Sequence, residues 1–245
     1  MTKTNIEILE ELIEKGYTLV RKNPTSIALE FKQDYYAEVD KIKRDRDLTP
    51  AAKAYKQEQL QEKFGKRLFE VLAEQKADYK KVVEQAQKLA QTIQTTPHDK
   101  PKDDLKVKLF EDEIASLVTS TMLGTNAGRS IEALDDFIGK YGDEPYFAQQ
   151  IKSQFPQFAS NVLGIESSPQ NRFALSKVLE RVESKVTTPE RAKAAEALGF
   201  FGNGDVKFYP EGLAPYNAIQ QIIGRDAARY LNEPEKAVEL ISTAE

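Results

Sequence analysis

The chain of 245 residues contains no cysteine, no tryptophan, two methionines and a single histidine, His98. Without cysteine there are no disulfides, no thiolate metal sites and no thiol nucleophiles. One imidazole leaves little for histidine-based nucleophile and base pairs, and His98 lies in a polar stretch between Pro97 and Pro101, where a solvated side chain is expected. No apolar run approaches the 18 residues of a membrane-spanning helix, and the N-terminus lacks the apolar core of a secretory signal. The sequence therefore predicts a soluble, cytoplasmic chain without a membrane partner.

Charge of one dominant sign is also missing. The net charge is -4, with 35 basic and 39 acidic residues. Residues 1–100 hold 19 basic and 17 acidic residues, net +2, which leaves 16 and 22, net -6, for residues 101–245. Lys and Arg alternate with Glu and Asp along the helical faces, so neither half reads as a phosphate-binding surface and nucleic acid is not an expected partner.

What is present is helix, above all from Pro50 to Gln94. Thr49 supplies a capping oxygen and Pro50 occupies the first helical position, where its missing N–H costs nothing. The composition is then Ala, Lys, Gln, Glu and Leu until Thr95-Thr96-Pro97 ends the run, giving about 45 residues or roughly 67 Å. Apolar residues recur at Leu60, Phe64, Leu68, Leu72, Tyr79, Val82, Ala86, Leu89 and Ile93. From Leu68 onward the steps alternate between four and three, with Gln75 at one seam position, which is a heptad register.

Before this helix, Thr4 and Glu7 have capping-box spacing and open a helix over Asn5 to about Lys15, which Gly16 is expected to end. Tyr17 to Val20 stays open between an extended piece and another helical turn. Asn23-Pro24 is a second start signal, and Ala28, Phe31, Tyr35, Val39 and Ile42 mark a helix over about Thr25–Arg46. The short turn from Asp45 to Thr49 makes this helix the antiparallel neighbour of the long one. It covers only half of the long helix, so the stripe beyond Leu72 must meet the first helix, the C-terminal half or another copy.

Residues 97–104 read as a linker between a helical arm (1–96) and a compact domain (105–245). Glycine rises from two to ten and proline from three to eight on crossing residue 100, as expected for shorter helices. Helices are predicted over about 103–123, 130–139, 145–155 with a separate piece at 156–163, 170–185 and 190–198, and two more begin at Pro215 and Pro234. One strand signal interrupts them: Asn203-Gly204 between Phe200-Phe201 and Phe208-Tyr209 predicts a β-hairpin. The expected fold class is thus all-α, a long antiparallel hairpin with a coiled-coil-like arm followed by a multi-helix domain carrying one β-hairpin.

Chemistry is harder to find. Asp135 with Asp136, or Asp143 with Glu144, could be nominated as carboxylate pairs, but helix neighbours point apart and residues 143 and 144 precede a helix start, which favours acidic side chains. Gly202-Asn203-Gly204-Asp205 lacks both the Lys-Ser/Thr of a P-loop and the acidic ladder of a calcium loop. No catalytic, cofactor-binding or metal-binding residue is assigned. Interaction residues are expected on the arm's stripe, at Leu68, Leu72, Tyr79, Val82, Leu89 and Ile93, and in the hairpin, at Phe201, Asn203, Phe208 and Tyr209.

The charged hairpin with its turn Asp45-Arg46-Asp47-Leu48-Thr49-Pro50-Ala51-Ala52-Lys53, followed by a cysteine-free helical domain, resembles proteins from the morphogenesis and virion modules of tailed bacteriophages. The resemblance covers the first 100 residues and transfers no functional residue. It implies a structural, scaffolding or accessory virion role, with the chain itself or a shell protein as partner and the virion as an alternative location. The sequence therefore points to a non-enzymatic assembly protein. The alternatives are a monomeric adaptor or inhibitor acting through residues 199–215, and an enzyme with an acidic-residue or metal site.

Overall fold

The computed structural model describes residues 3–202 and 206–242, and among them it is all-α, with no strand. Eleven helices are described: α1 (Asn5–Tyr17), α2 (Asn23–Arg44), α3 (Pro50–Thr95), α4 (Asp104–Leu123), α5 (Ala127–Tyr141), α6 (Pro145–Ile165), α7 (Pro169–Val186), α8 (Pro189–Phe201), α9 (Ala214–Ile223), α10 (Arg225–Ala228) and α11 (Pro234–Ser242). They form two compact units. The first comprises residues 1–91 and 196–245, and the second residues 92–195.

In the first unit the expected capping box forms: the Glu7 amide donates to Thr4 Oγ1 at 3.3 Å and the Thr4 amide to Glu7 Oε2 at 2.8 Å. The helix does not stop at Gly16. It runs through a π-helical segment, Thr18–Lys22, directly into α2. Pro24 explains the insertion. Its ring nitrogen carries no hydrogen, and Asn23 turns its own amide to the Thr18 carbonyl. The Leu19 carbonyl thereby loses its α-type donor, Asn23, and its π-type donor would be Pro24. Gln75 of α3 replaces them, its buried side-chain amide donating to Leu19 O at 2.6 Å.

α2 and α3 touch in opposite chain order. Lys53 Nζ donates to Lys43 O at 2.8 Å, Phe31 meets Phe64 edge-on at 6.2 Å, and Arg67 lies over the Phe31 ring and 4.0 Å from Asp34. The α3 stripe does not remain free beyond α2. Phe64, Leu68, Phe69 and Leu72 share one core with Ala28 and Phe31 of α2, Tyr216, Ile219, Ile222 and Ile223 of α9, Leu231, and Ala237 of α11. Further along, Val82 and Ala86 pack with Leu19 and Phe201.

This overturns two expectations. Residues 196–242 do not belong with 105–195, because α9 and α11 are what cover the α3 stripe. The β-hairpin also fails on both described sides. Phe200 and Phe201 are the last turn of α8, and Val206 to Tyr209 are irregular. The Tyr209 backbone takes both its hydrogen bonds from one side chain: its amide donates to Asn232 Oδ1 at 2.9 Å, and Asn232 Nδ2 donates to its carbonyl at 2.8 Å. The ladder a strand would need is supplied by that amide group. Asn203 lies outside the described residues.

The second unit is an up-down-up-down arrangement of α4 to α7. Glu113 of α4 pairs with Lys140 of α5 at 2.7 Å, and Lys152 of α6 with Glu183 of α7 at 2.9 Å, the order expected of antiparallel neighbours. Phe110 stacks on Phe147 at 4.6 Å, and Phe137 and Tyr141 close an aromatic cluster around them. Leu134, Ile138, Ile151, Phe158, Val162 and Val182 continue the core. α6 runs unbroken through Pro156, where a break was expected. Pro156 is exposed, so the carbonyl it leaves unpaired faces outward, while buried Phe155 and Phe158 anchor the helix on the inner side.

Candidate interaction surface

The residues expected to meet a partner are mostly inside the chain. Leu68 is 1% exposed, Leu72 2% and Val82 1%; Ile93 is buried, and Tyr79 and Leu89 are half-buried. A side chain at 1% exposure in its own fold has no surface to offer. The hairpin aromatics behave alike, with Phe201, Phe208 and Tyr209 all buried. Tyr79 stands edge-on to Phe208 at 5.4 Å, so these two expected contact residues serve each other. Phe200 and Leu213 are the large apolar side chains left exposed between 199 and 215.

Three of the four nominated carboxylates, Asp135, Asp143 and Glu144, are held in ion pairs. Asp135 lies 2.6 Å from Arg181, Asp143 pairs with Lys185, and Glu144 pairs with Lys106. The hydrogen bond from Lys185 holds the Asp143 carboxyl below its ordinary range, and the one Lys106 donates to Glu144 raises the Lys106 ammonium above its own. Such pairs keep both groups charged and suit a solvated bundle surface rather than proton transfer. His98 is not a solvated linker residue. Its amide donates to Gln149 Oε1 at 3.3 Å and its Nε2 lies 3.0 Å from the Val186 carbonyl, one of the unpaired acceptors at the end of α7. Among the described residues there is no group of three His, Cys, Asp or Glu that could hold a metal ion, and no helix is long and apolar enough to cross a membrane.

No known family model, curated protein or solved structure matches this chain. The geometry therefore has to identify its own candidate.

That candidate is the outer face of α4. Val107, Phe110 and Thr121 turn inward and are buried, whereas Leu105, Leu109, Met122 and Leu123 are exposed. Between these apolar ends lie Asp112, Ala115, Ser116, Thr119 and Ser120, all exposed, with Asp112 the one charged residue among them. Their hydroxyls are turned back on the helix: Ser116 Oγ donates to Asp112 O at 2.9 Å, Thr119 Oγ1 to Ala115 O at 3.0 Å and Ser120 Oγ to Leu117 O at 3.0 Å. Around the Asp112 carboxylate the surface offered outward is accordingly methyl and methylene groups, with the hydroxyls already satisfied within the helix.

The sequence contained a signal for this face. Placing Val107, Phe110, Ile114 and Leu117 on the core side leaves Leu105, Leu109 and Leu123 on the opposite side at helical spacing. A second shallow groove, between α5 and α7, is floored by Ile131, Ala174 and Val178 and bordered by the Asp135–Arg181 pair.

Proposed function

We propose that the chain is a non-enzymatic assembly protein that acts through protein–protein contacts. The observation that carries this reading is the outer face of α4, four large apolar side chains exposed on one helix of a protein that is otherwise densely charged. Ion-paired carboxylates and a histidine tied to the backbone support a structural role over proton-transfer chemistry. The likeness of the first 100 residues to virion-module proteins of tailed bacteriophages extends the proposal to a scaffolding or accessory virion role, with the chain itself or another structural protein as partner.

Light scattering on the full chain across a dilution series tests the reading. A mass above 27.6 kDa that rises with concentration is the expected result. A constant monomer mass, together with no association with a shell protein of a candidate phage, would reject it.

A further inference from the structure

Taking the assembly reading as its basis, we infer that the partner of the α4 outer face is a second copy of the same face, packed antiparallel about a twofold axis near Ser116. Three observations lead there. The first is charge depletion. No charged residue occurs from Ile114 to Gly128, although 30% of the chain is charged. Depletion of charge over exposed positions is the compositional mark of an interface centre, and it leaves Asp112 as the charge nearest the axis, where the antiparallel pairing sets it against Ser120 and not against a second Asp112.

The second is the order of side-chain sizes along the face. Small residues, Ala115, Ser116, Thr119 and Ser120, lie in the middle, with Leu105 and Leu109 before them and Met122 and Leu123 after. Two helices that cross approach most closely at the crossing point and diverge towards their ends. Small centres with large ends fill that shape. Pairing Ser116 with Ser116 sets Leu109 of one copy against Leu123 of the other, seven residues to either side, and Asp112 against Ser120. A twofold contact requires such a self-complementary pattern.

The third is area. Leu105, Leu109, Met122 and Leu123 stand at 70%, 48%, 67% and 73% of full exposure. Two copies of the face then offer at most about 1,000 Å², since Met122 stands at its margin, about 140° around the helix from Leu109; this is the lower bound for a specific contact, so the dimer should be weak and dissociate on dilution. Because the Ser and Thr hydroxyls are bonded within the helix, burying them strands no donor.

The test compares three full-length variants with the parent chain. Leu109→Lys with Leu123→Lys changes two exposed side chains and should weaken self-association by about tenfold or more while helical circular dichroism is kept. Ser116→Cys, in a chain with no other thiol, should form a disulfide-linked dimer under mild oxidation, and Ser176→Cys on α7 should not. Self-association unchanged by the lysine pair, with no linkage through position 116, would overturn this assignment and leave the assembly reading standing. A parent chain that is monomeric at every concentration overturns the second-copy partner; binding of a shell protein by that monomer would preserve the assembly reading, and its absence would end both.

Discussion

A glutamine in an apolar helix seam must bury an amide, and Gln75 does so because the backbone opposite needs a donor. Pro24 withholds one hydrogen, Asn23 redirects another to Thr18, and the Leu19 carbonyl is left to the Gln75 side chain. Gln75→Leu should therefore lower stability by about 1–3 kcal/mol, the cost of a stranded buried acceptor. Pro24→Ala in that background should recover part of the loss by restoring a backbone donor. Urea midpoints of the four chains decide it, and equal losses from Gln75→Leu with and without Pro24 would disprove the coupling. His98 carries the second residue-scale expectation. Burial of the ring and then nearby Arg191 push its pKa below the ordinary value, although the Val186 carbonyl and Asp99 act in the other direction. The folded state thus binds fewer protons than the unfolded one, so the stability from neutral His98 is complete above about pH 6.5 and is lost as pH falls towards the lowered folded value. The melting temperature of the parent chain relative to His98→Gln should decline over that interval. A difference independent of pH would show that the ring is not held neutral by the fold. Neither role was readable from the sequence: Gln75 looked like a gap in a heptad and His98 like a solvated linker, because the groups each one serves lie 56 and 88 residues away.

At the scale of elements, the starts were legible and several stops were not. Thr49, Ser168 and Thr188 precede prolines and mark the first turns of α3, α7 and α8, as the capping oxygens and fixed proline φ dictate. These signals are local, so the sequence carries them whole. Gly16, Asn23-Pro24 and Pro156 are local as well, yet the helices run through all three. In each case tertiary packing outweighed the local preference: Leu19 and Pro24 are buried on one side of the π segment, and Phe155 and Phe158 flank Pro156. Gly16 has a different reason to be glycine. A Cβ there would stand 2.6 Å from the Phe201 ring, so the residue makes room for α8 rather than ending α1. Gly16→Ala should destabilise by roughly 1–3 kcal/mol despite alanine's better helix propensity. Adding Phe201→Leu should relieve part of that cost. A thermal midpoint raised by Gly16→Ala alone would contradict the close approach.

For the whole molecule, the periodicity of α3 was read correctly and its partner was not. A stripe states that something covers it and leaves the cover unnamed; the cover came from α9 and α11, more than 120 residues later in the chain. The α4 face is hard to read for the complementary reason: Leu105, Leu109 and Leu123 share one helix with the inward stripe of Val107, Phe110, Ile114 and Leu117, and their spacing alone does not say which stripe is covered. The two units also predict how the molecule opens. Phe158 is fully buried in the second unit, and Phe158→Ala should cost about 3–5 kcal/mol there. Amide hydrogen exchange of the full chain should then lose protection mainly between residues 92 and 195, with residues 5–91 and 196–242 much less affected. A uniform loss would mean that the chain opens as one cooperative body.

The return of residues 196–242 to the first unit also sets an order of events on the ribosome. Everything from 92 to 195 emerges before α9 and α11 exist, so the bundle of α4 to α7 has all its parts while Leu68, Phe69 and Leu72 still lack theirs. Each new molecule must carry an uncovered apolar helix through the synthesis of more than a hundred further residues, the period when chaperones engage and nascent chains adhere to one another. Loss of the segment from α9 onward would make that exposure permanent, and the shortened product would be a substrate for proteolysis even though its second unit is intact.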